Sequence, residues 1–230
     1  MQELKSPIFY AVQKDIYIRT GGPTLIDFDM QRISQRINII LNIRTEGDIK
    51  KEDLLPPIIE LSGACGHFNI SEACLDTTRL YRMVHQAQPD EFTQTGENTY
   101  RCVVHFYTLG VIPSAAKGHL NGPGILQVAL QVSANRLDAS GAPVLDQDGK
   151  PVKNSRYIYG AINPYDELTA AQLIEVRDGK TYLRYSKDDV NIEITSPLVI
   201  KADQIVSDDT GMGWQPNDPT NPDDDIIIEI

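Results

Sequence analysis

Cysteine is scarce in this chain, with three in 230 residues, at positions 65, 74 and 102. Three is too few for a disulfide scaffold and leaves one unpaired. Cys65, Cys74 and Cys102 therefore read as small core residues, with a Cys65–Cys74 bridge still open to the chain. Aromatic residues make up only 7%, with a single tryptophan, Trp214. That scarcity argues against a carbohydrate-binding groove, and Trp214 reads as a ring that pins the start of the tail rather than as an exposed glycan-stacking ring. No run of eighteen apolar residues occurs, so no membrane-spanning helix is expected. A basic stripe is missing too. At a net charge of −11 the phosphate backbone of a nucleic acid would be repelled, whereas an acidic surface suits an exported protein. The opening, MQELKSPIFY, lacks the basic-then-apolar layout of a secretory signal. The chain accordingly reads as cytoplasmic, or as an exported protein whose leader has been removed.

Catalytic signatures are equally sparse. There is no Gly-x-Ser-x-Gly elbow, no phosphate-cradling glycine loop with lysine, and no His-Glu-x-x-His. Asp146, Asp148 and Gly149 in DQDGK resemble the opening of a calcium loop. The twelfth position holds Tyr157 where a bidentate glutamate is needed, so a hairpin turn is the better reading. His67, His85 and His105 lie near the cysteines in sequence, but CGH with a second cysteine nine residues on fits no usual zinc spacing. LSGAC resembles an acylation box, yet it stands mid-chain without a signal before it. No catalytic, cofactor or metal residue is expected. The acids gather in turns and in the tail, the usual solvated placement, which disfavours a glycan-cleaving sandwich with paired carboxylates.

What is present is alternation. In RISQRINIILNIR, Ile33, Ile37, Ile39, Leu41 and Ile43 share one parity, and Arg32, Ser34, Arg36, Asn38, Asn42 and Arg44 share the other. That is a strand with one buried face, and its β-branched content disfavours a helix. GILQVALQVSA alternates as cleanly, with Leu126, Val128, Leu130 and Val132 inward. TYRCVVHFYTLG, SRYIYGAI, NIEITSPLVI and KDIYIRT read as further strands. IEVRDGKTYLRY reads as a hairpin whose Asp178-Gly179 pair suits a type I′ turn, and LDASGAPVLDQDGKPV as holding two more such turns. NPYDELTAAQLI predicts a helix over 164–174, capped by Asn163 with Pro164 first and Asp166 at the positive end. SEACLDTTRLYRMVHQ fits strands or a helix and reads better as strands. The whole predicts an antiparallel β-sandwich with one short helix.

The order of these pieces resembles the fimbrillin superfamily of Bacteroidales. FDMQRISQRINIILNI leads to LPPIIELSGACGHFNI, a strand ending in a small-residue L-S-G turn. HFYTLG and GILQVALQVSA follow, then GMGW, acidic residues and IIIEI. The likeness, to type V pilus anchor and accessory subunits, spans most of residues 8–230 as short loose motifs. It implies transthyretin-like sandwich modules, usually two per subunit, a lipoprotein precursor held at the outer membrane, and adhesion rather than catalysis. Partners would be other fimbrial subunits or a neighbouring copy. This chain departs from the pattern in showing no signal and no N-terminal lipidated cysteine, and it starts where a second module would. A phage tail or head-fibre module, also acidic and β-rich, is the other class that fits.

Residues 1–206 read as the sandwich, and 207–230 as an acidic, proline-rich spacer followed by a strand. In DIIIEI, Ile226, Ile228 and Ile230 share one face, opposite Ile227 and Glu229. Burying the four isoleucines would contribute about 6–12 kcal/mol, and fixing five residues costs about 5–10 kcal/mol in backbone entropy. The near balance means the segment orders only against a sheet edge that also takes its hydrogen bonds. Ile226, Ile227, Ile228 and Ile230 are thus the candidate partner-binding residues, by self-pairing or by strand addition to a neighbour. Elemental analysis of the purified chain is expected to find no stoichiometric transition metal. A metal whose chelation lowers stability would overturn that expectation.

Overall fold

The computed structural model describes residues 7–18, 20–47, 49–135, 138, 140, 142–184, 189–201, 205–206 and 215–216. In chain order its strands begin with β1 (Phe9–Tyr10), β2 (Gln31–Arg32), β3 (Gln35–Glu46), β4 (Ile58–Asn69) and β5 (Cys74–Gln86). They continue with β6 (Phe92–Gly96), β7 (Thr99–Thr108), β8 (Leu126–Asn135) and β9 (Lys153–Ile162). After the helix α1 (Tyr165–Ala171) come β10 (Ile174–Arg177), β11 (Lys180–Leu183), β12 (Asp189–Lys201), β13 (Ile205–Val206) and β14 (Gln215–Pro216). A 3-10 turn spans Lys51–Asp53. One sheet runs β13-β12-β3-β7-β6, the other β10-β11-β5-β4-β8-β9-β14, and β1 and β2 form a small ribbon. The protein is mainly β, a sandwich of largely antiparallel sheets with one α-helix among the described residues.

The alternation in the sequence builds this core directly. Ile37, Ile39, Leu41 and Ile43 of β3 are all at 1% exposure or less, and Tyr100, Cys102, Val104 and Phe106 of β7 stand beside them, equally buried. From the other sheet Ile59 and Leu61 of β4 meet Leu126, Val128, Leu130 and Val132 of β8 in the same cluster. Gln127 and Gln131 stay on the wetter face, as their parity requires. Each large apolar side chain so buried contributes about 1.5–3 kcal/mol. A second, smaller cluster of Ile33, Cys65, Leu75, Leu109 and Leu183 is covered by Ile8, Tyr10 and Phe68.

Several expectations are corrected. β12 lies parallel to β3, pairing Asp189 with Arg36 and Lys201 with Glu46 at its ends. Such a pair cannot be closed by a tight turn; here β4 to β11 and α1 intervene, and α1 packs on β12. The L-S-G stretch does not end a strand. β4 continues to Asn69, with a register shift between Leu61 and Ala64. There Gly63 adopts φ +84°, and a Cβ on it would lie 2.6 Å from the backbone of Gly124 and Ile112. The Ser62 hydroxyl fixes the bulge by donating to Gly122 O at 2.8 Å and accepting from Ile125 N at 2.9 Å.

KDIYIRT forms no strand among its described residues, where Tyr17 and Ile18 are exposed. Alternation alone does not make a strand; the segment must also reach a sheet edge that accepts its hydrogen bonds. SEACLDTTRLYRMVHQ holds one long strand, β5, laid against β4. α1 occupies the expected place, but Pro164 is its N-cap, and no side chain caps it. Asn163 instead donates to Ala116 O and His119 O at 2.9 and 2.8 Å, tying the preceding loop. Asp178 and Gly179, both at positive φ, close the β10–β11 hairpin as expected. The DQDG turn is of another kind. Gly149 N donates to Asp146 O, only Gly149 has positive φ, and the Asp146 carboxylate accepts from Asp148 N and Lys150 N.

Gly63→Ala is expected to destabilise the fold by at least about 2 kcal/mol, because both the positive φ and the backbone contact oppose a methyl group. Gly149→Ala, whose added methyl meets open space, should cost less, about 1 kcal/mol from φ alone. Urea denaturation of the two variants checks the ranking.

Candidate functional site

With no cleft marked by the sequence, the surfaces that could engage a partner are its sheet edges and its exposed apolar segments. β6 closes one end of the five-stranded sheet, and after Phe92 its residues are exposed and polar. β10 closes one end of the seven-stranded sheet, with Val176 at 66% exposure. Among the described residues nothing pairs with the outer side of either strand. Both are four or five residues long, short enough to limit unspecific pairing.

The N-terminal arm is the larger anomaly. Among its described residues, 11–30 contain no strand or helix. Yet the arm exposes Val12, Ile16, Tyr17, Ile18, Leu25, Phe28 and Met30. Scattered surface apolar residues are ordinary, whereas such a density within twenty positions marks a docking surface. The arm is anchored at both ends. β1 pairs with β2 through Phe9 and Arg32, Ile33 N donates to Ile8 O at 2.8 Å, and Ile8 N donates to the Ser34 hydroxyl at 2.8 Å. Tyr10 meets Phe68 edge-on at 5.0 Å. The arm was legible only as alternation in KDIYIRT; the Gly-Gly-Pro that follows was the cue that it does not belong to a sheet.

Ile226, Ile227, Ile228 and Ile230 lie outside the described residues, as does Trp214. Two residues of the expected spacer, Gln215 and Pro216, do pair, with Ala161 and Gly160 of β9. The spacer thus takes a sheet edge at its start, where proline is tolerated because, among the described residues, β14 is the last strand of its sheet.

The histidines separate. His67 is exposed and lies 5.7 Å from the Tyr81 ring. His85 of β5 and His105 of β7 come together with ring centres 6.0 Å apart, on either side of Glu91. His85 Nε2 is 2.8 Å from Glu91 Oε2, and His105 Nδ1 is 3.7 Å from Oε1. Gln88 N donates to the same carboxylate at 2.8 Å. This trio sits where the chain crosses from one sheet to the other, so it ties β5, the crossover and β7. Burial would raise the Glu91 carboxyl, but the Gln88 and His85 hydrogen bonds, with the two imidazoles' charge, hold it below its ordinary value.

The cysteines go elsewhere and are all free thiols, so the Cys65–Cys74 bridge left open by the sequence is not formed. Cys65 stands opposite Leu80, and Cys74 opposite Asn69, so the register separates them. Burial pushes Cys65 and Cys102 up to about 12, with the charges of Asp76 and Glu91 respectively adding to it. Such thiols are poor nucleophiles and poor ligands at neutral pH. Among the described residues no group of three His, Cys, Asp or Glu is disposed to hold a metal ion.

No family model matches the chain, and no curated protein matches it. A solved structure that does match is that of a candidate adhesin from Bacteroides ovatus, at 9% identity and a TM-score of 0.36. The match covers 84% of this chain and 56% of that one. This chain thus spans little more than half the length of that neighbour, and a likeness at that score decides neither family nor function.

Because the Glu91 carboxyl is held below its ordinary value of 4.5, its stabilisation is complete above that pH. It is lost as pH falls through the folded value. Glu91→Gln should cost about 1–2 kcal/mol at pH 7 and show a shallower loss of stability between about pH 4.5 and 3. Thermal melts across that range check both.

Proposed function

We propose that this chain is a non-catalytic cell-surface fimbrial subunit, an anchor or accessory piece of a pilus associated with the outer membrane. It acts in adhesion and fimbria assembly by β-strand pairing with other fimbrial subunits or a neighbouring copy. The observation that carries this reading is the N-terminal arm, a twenty-residue stretch that exposes Val12, Ile16, Tyr17, Ile18, Leu25, Phe28 and Met30 and is held at both ends to the sandwich. An assembly covers such a stretch; an isolated monomer leaves it wet. The ordered motifs that resemble fimbrillins support the same reading, as do the inert thiols.

Strand addition gives the edges and the tail a common purpose. The five residues after the DDD run match the length of β6 and exceed β10 by one, and prolines and like charges before them favour an extended linker. A donated strand would bring Ile226, Ile228 and Ile230 to one face of a neighbour's sheet. Deleting residues 226–230 is expected to leave the monomer's denaturation midpoint unchanged while abolishing assembly, read by sedimentation velocity. A destabilised monomer would mean that the strand completes its own sheet. If neither stability nor assembly changes, the strand-pairing reading is wrong.

A further inference from the structure

The two arginines nearest the β10–β11 hairpin lie 7 positions apart in a chain of net charge −11, and both line one surface cleft of about 550 Å³. That volume is in the range of small-molecule sites. Three separate pieces of chain converge there: the β1–β2 ribbon brings Tyr10 and Gln31, the β4–β5 turn brings Ala73, and the hairpin with the residue after it supplies the rest. Register explains the hairpin's share. Glu175 pairs with Tyr182 and Arg177 with Lys180, so Glu175, Arg177, Tyr182 and Arg184 follow one parity. Ile174 and Leu183, which pack on the second core cluster, follow the other.

The charged groups are arranged rather than merely adjacent. The Arg177 guanidinium lies over the Tyr182 ring at 4.5 Å, and its Nε is 3.3 Å from Glu175 Oε1. Stacking and the Nε contact orient the group, while no described residue takes its two terminal nitrogens. Those nitrogens present the fork that matches a carboxylate. Arg184 donates through Nη1 to Gln172 Oε1 at 2.8 Å, and its buried Nε has no hydrogen-bond acceptor. Glu175 lies 4.0 Å from that Nε, beyond hydrogen-bond reach. Tyr10 and Gln31, joined by a 3.4 Å hydroxyl–amide contact, form the facing wall.

We infer that this cleft binds a sugar acid, a pyranose ring bearing one carboxylate, as found at the ends of acidic glycans. The carboxylate pairs with Arg177. Ring hydroxyls donate to Glu175 and exchange hydrogen bonds with Gln31 and the Tyr10 hydroxyl, and the ring's apolar face lies against aromatic surface. Glu175 supplies the selectivity. A dianionic phosphate would be repelled by the carboxylate between the arginines, whereas a monoanion rich in hydroxyl donors uses it as an acceptor. The inference names a target for the adhesion reading and rests on that reading only for biological context. Loss of assembly and loss of sugar-acid binding are measured separately, so either can fail without the other.

The test is calorimetric titration of the full chain with glucuronic acid and N-acetylneuraminic acid, with glucose, acetate and inorganic phosphate as comparisons. The expected result is saturable binding of at least one sugar acid, at least tenfold tighter than any comparison. Arg177→Gln, at an exposed position whose loss leaves the core intact, should weaken that binding at least tenfold with an unchanged melting temperature. Glu175→Gln should narrow the margin over phosphate. Absence of binding by both sugar acids, equal binding of glucose or acetate, or full affinity in Arg177→Gln overturns the proposal.

Discussion

The sandwich depends on β3 being bonded on both sides. On one side it runs antiparallel to β7, from Gln35–Thr108 to Arg44–Thr99. On the other it runs parallel to β12. Only a strand so enclosed can hold Ile37, Ile39, Leu41 and Ile43 dry on one face while its backbone groups are satisfied within the sheet. The side chains take part in the register as well. Asn38 Nδ2 donates to Asn191 Oδ1 at 2.9 Å across the parallel pair, and a one-residue slip would break that contact and turn the isoleucines outward.

The parallel partner imposes the rest of the topology. The chain must build β4 to β11 and α1 before β12 can lie beside β3, so all of the second sheet except β14 falls between two paired strands of the first. Gln35 secures the return. Its buried amide donates to Leu173 O and Arg184 O, linking the start of β3 to both ends of the β10–β11 hairpin. The same bond holds the hairpin that walls the arginine cleft, so the position of Arg184 is coupled to the core strand rather than to a free loop.

The polar chemistry of the molecule lies at its seams. Glu91, His85 and His105 join the sheets where the chain crosses between them, and Ser62 and Gly63 fasten β4 to the loop around Gly122. The thiols, which nearness in sequence placed beside the histidines, are spent on packing. Chemistry-bearing residues therefore sit where elements meet, and a dense group of exposed apolar residues sits on an arm tied to the sandwich at its two ends.

The strands were legible in the sequence because half-burial imposes a period of two, and β3, β7, β8 and β12 each display it. The Asp178-Gly179 turn and the helix after Pro164 were legible for equally local reasons, since backbone conformation at those residues follows from their own chemistry. Partner choice was not. Nothing in NIEITSPLVI says that it will lie parallel to β3, and nothing in KDIYIRT says that no strand will receive it. Both depend on which edges remain when distant segments have paired. The cleft is the extreme case, for Tyr10, Ala73 and Arg177 are brought together from three distant parts of the chain, and each taken alone looks like an ordinary surface residue. Local periodicity and turn chemistry settled the elements, whereas hydrogen-bond closure between distant edges decided their neighbours and so every surface a partner could meet.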